Sequence, residues 1–435
     1  MSDFLIIFKR IFAAKKRDIK IIFKNIFAIS TVRFFDYLLP LLTIPYIVRI
    51  IGVEKFGVIS VARAYITFFL VFVTFGFNFS GTKFISSNRH RKKEISIETF
   101  NVIFIKLFFA FISFIIILIS IKFVSKFNKE AIVYLFTSIN LFGEALFPVW
   151  FFQGLEKMDY ITKITIPIRS FFTLLIFVFV RKQSDYILIP LFYALGPFFA
   201  GIVSIYIILK VFKLRYFKFS LKRLKTSIKK GFSFFLSRIS WSLVTSIDVI
   251  VLGFAAGDYF AGLFSSARKI VKQISLVIQP LYSSIYPYFS NREQREKEKN
   301  INIFFKIIFF LSTSGILLII ILTFIFAKDI VIILLGKKFV EVIPILKLFL
   351  VVPFIYHLNA IVGTAVLIPQ GYEKIFNNSV IIASIIHILL LFGLLVFNVL
   401  TIKNLVILII FTYLIIFVLR FGTILKYRNL RKWIL

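Results

Sequence analysis

Gly57-Val58-Ile59-Ser60-Val61-Ala62-Arg63 is answered 205 residues later by Gly262-Leu263-Phe264-Ser265-Ser266-Ala267-Arg268. The same offset sets Gly52 on Gly257 and Arg33 on Arg238. A second pair, Gln153-Gly154-Leu155-Glu156-Lys157 and Gln370-Gly371-Tyr372-Glu373-Lys374, stands at an offset of 217, and the extra residues fall near 327–340. One half of the chain is thus present twice. In a membrane protein a duplicated half is the usual plan of a transporter that rocks two lobes around a central site.

Composition supplies the membrane. Hydrophobic residues make up 60% of the 435, and the mean hydropathy is +0.97, against roughly 45–50% apolar residues in soluble domains. No soluble core of this size buries that much. The apolar residues, 60 of them Phe, fall in runs long enough to cross a hydrocarbon layer about 30 Å thick, which takes about 20 residues. Twelve runs are expected, at 26–50, 57–82, 100–124, 131–152, 159–180, 186–210, 231–256, 259–289, 302–327, 341–368, 375–398 and 404–425. The expected fold is all-α and integral to the membrane, with twelve transmembrane helices in two pseudo-symmetric six-helix lobes. The lobes are 26–215 and 231–435, preceded by a basic amphipathic segment at 1–25 and joined by a basic cytoplasmic linker at 216–230.

Lys and Arg orient these runs. One set of connecting segments, including both ends of the chain, holds 31 Lys and Arg, and the other set holds 9. The positive-inside rule makes the first set cytoplasmic. The formal net charge of +35 therefore lies mostly in short loops beside spans, where it meets anionic lipid headgroups, and it does not indicate nucleic acid. The first 25 residues interleave basic positions with Phe4, Leu5, Phe8 and Phe12, the pattern of an interfacial helix. Without cysteine there is no disulfide, thiolate nucleophile or cysteine-ligated metal. His90, His357 and His387 are too scattered in sequence to mark a metal site, and no cofactor motif is present. A Gly-x-x-x-x-Gly-Lys loop is missing as well, which excludes direct ATP hydrolysis of the P-loop kind.

Ionisable groups inside a span cost at least about 2.5 kcal/mol and usually face an interior cavity. In the first run Arg33 and Asp36 share a helix face, and the counterpart run carries Arg238, Thr245 and Asp248. In the second run Arg63, Thr67, Thr74 and Asn78 form a stripe at helical spacing, answered by Arg268, Lys272, Ser275 and Gln279. Arg33 and Arg238 lie about 10 Å inside one end of their spans and Arg63 and Arg268 about as far inside the other end. Arginine suits forked binding of phosphate oxygens, so Arg33, Arg63, Arg238, Arg268 and Lys272 are the candidate ligands for an anionic headgroup. Asp36, Asp248 and Glu144 are candidate sites for a coupling ion or proton.

Two stretches carry a family resemblance. Tyr37-Leu38-Leu39-Pro40-Leu41-Leu42-Thr43-Ile44-Pro45-Tyr46-Ile47-Val48-Arg49-Ile50-Ile51-Gly52, with Glu54-Lys55-Phe56-Gly57, resembles the opening of the bacterial polysaccharide flippases, or O-antigen repeat-unit translocases. Pro148-Val149-Trp150-Phe151-Phe152-Gln153-Gly154-Leu155-Glu156-Lys157-Met158 resembles their signature at the end of the fourth span. The resemblance covers the whole chain. It implies the multidrug/oligosaccharidyl-lipid/polysaccharide exporter superfamily, a place in the bacterial plasma (inner) membrane, and alternating access. The implied substrate is an undecaprenyl-diphosphate-linked oligosaccharide repeat unit, moved from the cytoplasmic to the outer leaflet for O-antigen or capsule. Anionic membrane lipids, a polysaccharide polymerase and assembly proteins are the expected partners. The rivals are a multidrug exporter, whose cationic cargo a cavity of arginines repels, and a membrane-embedded glycan polymerase. Such an enzyme needs a large extracytoplasmic loop, and the longest one here, from Lys328 to Val340, is short.

Single cysteines introduced into this cysteine-free chain test the topology. Residues in 83–93 and 210–230 are expected to label only from the cytoplasmic side, and Glu54→Cys and Lys337→Cys only from outside. Labelling of 210–230 in intact cells by an impermeant reagent would reverse the orientation.

Overall fold

The computed structural model describes residues 2–215, 219–277, 279, 282, 301–427 and 430. The side chains of residues 2–24, 26, 29, 33, 36, 37, 222, 230, 233, 234, 237 and 301–304 lie outside that description. The described residues are helical, with no strand among them. The α-helices are α1 (Ser2–Thr74), α2 (Phe77–Ser87), α3 (Lys92–Phe123), α4 (Ser125–Lys129), α5 (Ala131–Leu146), α6 (Val149–Gly154), α7 (Asp159–Phe179) and α8 (Leu188–Lys210) in the first half. The second half gives α9 (Leu221–Ala255), α10 (Asp258–Val277), α11 (Ile301–Ile325), α12 (Ala327–Leu334), α13 (Val342–Phe349), α14 (Val351–Ile361), α15 (Glu373–Val396) and α16 (Ile402–Lys426). A π-helical turn, Val362–Leu367, extends α14.

Among the described residues ten segments are long and apolar enough to span a membrane, not the twelve expected. Two physical facts account for the difference. Leu38–Ser87 forms one candidate of 50 residues, about 75 Å of helix and so more than two membrane thicknesses. The eighth expected run, 259–289, extends into residues outside the description. The expected amphipathic segment 1–25 is continuous with the first span as part of α1, and its amphipathic face lies outside the described side chains.

The break inside α1 falls at Gly52 (φ 76°, ψ −179°), while helix torsions continue through Pro40 and Pro45. Only glycine takes that conformation readily, and its duplicate Gly257 has φ 102° between α9 and α10. Neither has a neighbour within 4 Å of where a Cβ would stand, so backbone torsion alone demands glycine at both. The second glycine of each repeat has the opposite reason. A Cβ on Gly57 would strike the carbonyl of Asp258 and come within 2.9 Å of the Gly262 nitrogen, while one on Gly262 would strike the carbonyl of Val53. Asp258 is Val53 carried forward by the same 205 residues. The arm 53–74 and α10 therefore cross backbone to backbone in a contact that maps onto itself when the halves are exchanged. Arg63 and Arg268 each lie six residues beyond their glycine.

Two compact units emerge: residues 1–43, 69–181 and 185–235, and residues 44–68, 182–184 and 236–435. Segment 44–68 thus belongs with the second unit, through the glycine crossing and through Gly253, whose missing Cβ leaves room for Val61. In the first unit Trp150, Phe151 and Phe152 are fully buried. Gly81 makes room for the Trp150 ring and Gly154 for Ile85, which closes α2 on α6. Arg89 seals that end, donating to the Gly154 carbonyl at 2.9 Å and pairing with Glu156 at 2.6 Å. The core of the second unit gathers around the π-turn, with Ile361, Val362, Ala365, Val366 and Leu367 at 3% exposure or less. The two Gln-Gly-x-Glu-Lys copies are structural in different ways. Gly154 supplies room, whereas Gly371 supplies a left-handed turn (φ 85°) with no neighbour near its Cβ.

Replacing Gly57 or Gly262 by Leu is expected to lower the yield of folded protein sharply, because the displaced neighbour is backbone. Gly52→Ala is expected to cost about 1–3 kcal/mol, from torsion alone. Gly393 has nothing within 4 Å of a Cβ, so Gly393→Ala serves as the neutral control. Thermal stability in detergent by size-exclusion chromatography measures all four, and a Gly57→Leu protein as stable as the control would remove the crossing.

Candidate functional site

Helix α10 presents its basic residues beside the crossing. Arg268 is half-buried, its guanidinium 5.6 Å from the centre of the Phe264 ring. Lys269, which sequence reasoning passed over, places its ammonium 4.2 Å from the centre of the Phe56 ring on the opposing arm. Lys272 lies one turn on and is exposed. Arg63 reaches both Lys269 and Lys272 electrostatically, and Arg268 reaches Lys272. Four basic side chains thus share one neighbourhood, with Arg63 and Lys272 on its open side. Such a group suits an anion that offers several oxygens, and the aromatic faces of Phe56 and Phe264 hold two of the cations without neutralising them.

Asp248 lies below this cluster, fully buried on α9. One carboxylate oxygen is 2.9 Å from Nε2 of His387 on α15, and the other is 3.8 Å from Nη1 of Arg268. His387 is itself fully buried and meets the Thr412 hydroxyl of α16 at 2.7 Å. The position equivalent to Asp248 in the first half is Thr43, also fully buried, and its hydroxyl meets Tyr193 at 2.7 Å. The halves have kept a buried polar contact at one site and have made it ionisable in only one of them.

The other candidates are more scattered. Arg238 is exposed on α9. The side chains of Arg33 and Asp36 fall outside the described ones. Glu144 is half-buried on α5, and its backbone carbonyl accepts from the buried ammonium of Lys106. The structure therefore brings Arg63, Arg268, Lys272 and Asp248 into one unit and adds Lys269, His387 and Thr412. His387 was visible as an ionisable residue in an apolar run, but sequence weighed it only as a metal ligand. Among the described residues no group of three metal-ligating side chains converges.

A further basic residue, Arg420 on α16, is 4% exposed. It donates to the carbonyl of Asn359 at 2.9 Å, to the carbonyl of Phe376 at 3.2 Å and to the Ser379 hydroxyl at 3.0 Å. Its guanidinium lies 3.9 Å from the centre of the Phe376 ring. With its donors spent on two carbonyls and a hydroxyl, Arg420 ties α14, α15 and α16 together around the π-turn and takes no part in the open cluster.

Comparison with known proteins agrees with this architecture. The chain is 29% identical over 371 residues to an Escherichia coli (strain K12) protein named "Putative O-antigen transporter", covering 85% of this chain and 89% of that one. It is also 29% identical to a Shigella dysenteriae protein of the same name, over 85% and 92% of the two chains. Among solved structures it resembles an inward-facing multidrug resistance MATE family transporter of the MOP superfamily, with a TM-score of 0.72, 13% identity and coverage of 91% and 96%. That likeness shows the fold. The family described as "Polysaccharide biosynthesis protein" matches residues 22–293, more than half of this multi-pass membrane protein, and the chain belongs to that family.

Proposed function

We propose that this protein carries a lipid-linked oligosaccharide across the bacterial inner membrane, accepting an undecaprenyl-diphosphate-linked repeat unit at the cytoplasmic leaflet and releasing it at the outer one by alternating access. The basic cluster of Arg63, Arg268, Lys269 and Lys272 carries this reading. A diphosphate offers several anionic oxygens within a few ångströms, and a forked guanidinium binds them better than a point charge does. In a partly dry site each such bond is worth about 1.5–3 kcal/mol. Arg33 and Arg238 act in this reading as partners for the same headgroup at a second height. Membership of the polysaccharide biosynthesis family and the name of the E. coli and Shigella relatives support the oligosaccharide part. The prenyl chain stays in lipid, anionic lipids meet the basic loops, and a polymerase and assembly proteins receive the product. Export of cationic drugs fits poorly, because the cargo would meet four basic side chains at close range. The protein acts in this reading as a carrier and makes or breaks no covalent bond.

Arg63→Ala, Arg268→Ala, Arg33→Ala and Arg238→Ala test it. Each is expected to reduce surface polysaccharide per unit of folded protein by roughly tenfold to a hundredfold, the range that one lost charge-assisted bond gives. Arg→Lys is expected to recover part of the loss. The measurement is surface glycan normalised to folded membrane protein. Normal export with Arg63 and Arg268 both replaced by Ala would remove the anionic-headgroup mechanism.

A further inference from the structure

The hydrogen bonds around Asp248 have directions that can be worked out. Thr412 donates its single hydroxyl proton to the Leu408 carbonyl at 2.7 Å. Its oxygen therefore accepts from His387 Nδ1, also 2.7 Å away, and that nitrogen carries a proton. The other ring nitrogen, Nε2, is 2.9 Å from Oδ1 of Asp248. With Nδ1 already protonated, a hydrogen bond across that contact requires one more proton. Either the carboxylic acid donates to Nε2 or an imidazolium donates to the carboxylate, and in both cases the pair as a whole is neutral. Both residues are fully buried, where an unbridged carboxylate facing a nitrogen lone pair is costly.

On its other side Asp248 stops short of Arg268. The 3.8 Å between Oδ2 and Nη1 exceeds a hydrogen bond, and both atoms are buried without a hydrogen-bond partner. The two groups stand at ion-pair distance without sharing a hydrogen bond, so the carboxylate does not hold the guanidinium fast.

We propose that Asp248 and His387 form a proton-binding site whose occupancy decides whether Arg268 is available to an anionic ligand. With the proton in place, the pair is neutral and Arg268 is free to bind phosphate oxygens. When the proton passes to water, the pair carries one negative charge, Oδ2 draws Nη1 from its 3.8 Å ion-pair distance into a hydrogen bond, and the ligand loses that partner. Carboxylate and ligand compete for one guanidinium, so ligand binding and proton binding favour each other, each by the same factor. The other charged and titratable groups facing this site are Lys269 and Lys272 on α10, Arg63 on the arm 53–74, Tyr413 on α16 and Tyr356 on α14. The basic ones favour the deprotonated pair, and a bound anion offsets them. The ligand's identity as a diphosphate rests on the proposed function, whereas the proton exchange with Arg268 does not.

The chain holds three histidines, so ¹⁵N-histidine NMR of the purified full-length protein resolves the site, with His90→Asn and His357→Asn assigning the other two. The His387 signals are expected to pass from a protonated or proton-sharing ring to a neutral Nδ1–H ring as pH rises. Arg268→Gln removes the group that stabilises the deprotonated pair. It should move the transition to higher pH by about one unit, a tenfold tighter hold on the proton. Arg268→Met provides a second neutral variant, and Arg268→Lys should stay near wild type. Asp248→Asn should leave His387 with Nδ1–H alone across the range. Adding undecaprenyl diphosphate to the wild type should move the transition upward, and adding it to Arg268→Gln should not. No shift in either neutral variant, with elution profiles unchanged, overturns the proposal. A shift in those variants with no effect of undecaprenyl diphosphate upholds the proton site and removes the diphosphate substrate.

Discussion

Two helices that touch through their backbones position everything else near the candidate site. Within a membrane the hydrophobic effect gives helices no reason to associate with each other, so close approach through small residues and the dispersion it permits must do that work. Gly57 and Gly262 provide the approach between 53–74 and α10, and Gly52 and Gly257 aim the helices toward it by taking torsions other residues avoid. Arg63 and Arg268 each follow six residues after the contact, about 9 Å along their helices. The register of the glycines thus decides where the cations stand. Phe56 is part of the same arrangement, since it lies one residue before Gly57 and faces Lys269 across the crossing.

Much of this was legible in the chain because repetition and periodicity are properties of sequence. The duplicated Gly-x-x-Ser-x-Ala-Arg string announced two related halves, and its glycines and arginines were its informative positions. The reasons for the two glycines were not separable, because the need for a torsion and the need for room leave the same letter. The unbroken passage of α1 through its two prolines was hidden for a similar reason. Pro40 and Pro45 suggest a bend, but helix torsions persist through both, with Thr43 bonded back to the Leu39 carbonyl at 2.9 Å, and the chain turns at Gly52. His387 escaped because its partner Asp248 lies 139 residues away, and a pairing over that distance leaves no local pattern. Lys269 escaped because the stripe was followed at helical spacing from Arg268 to Lys272, and Lys269 does not fall on that spacing.

The halves differ in the chemistry of one equivalent buried site. Thr43 with Tyr193 is a neutral contact, while Asp248 with His387 and Thr412 is ionisable, and both occupy the same place in the repeat. The second half also buries Arg420 against carbonyls around a π-turn, an irregularity frequent at functional sites. The first compact unit spends polar groups on closure, with Arg89 on Glu156 and Arg223 on Glu94, each at 2.6 Å.

The symmetry of the glycine crossing bears on where such a chain came from. A contact in which Gly57 meets Asp258 and Gly262 meets Val53 is isologous in the sense used for subunits: each copy offers the other the same patch. Before duplication, a single half would have met a second molecule of itself there, with one glycine serving both sides and one arginine appearing twice at the seam. Fusion released each position from its twin. It allows one copy of a buried site to hold Asp248 while the other holds Thr43, without forcing two carboxylates on a symmetric pair, an option closed to any homodimer.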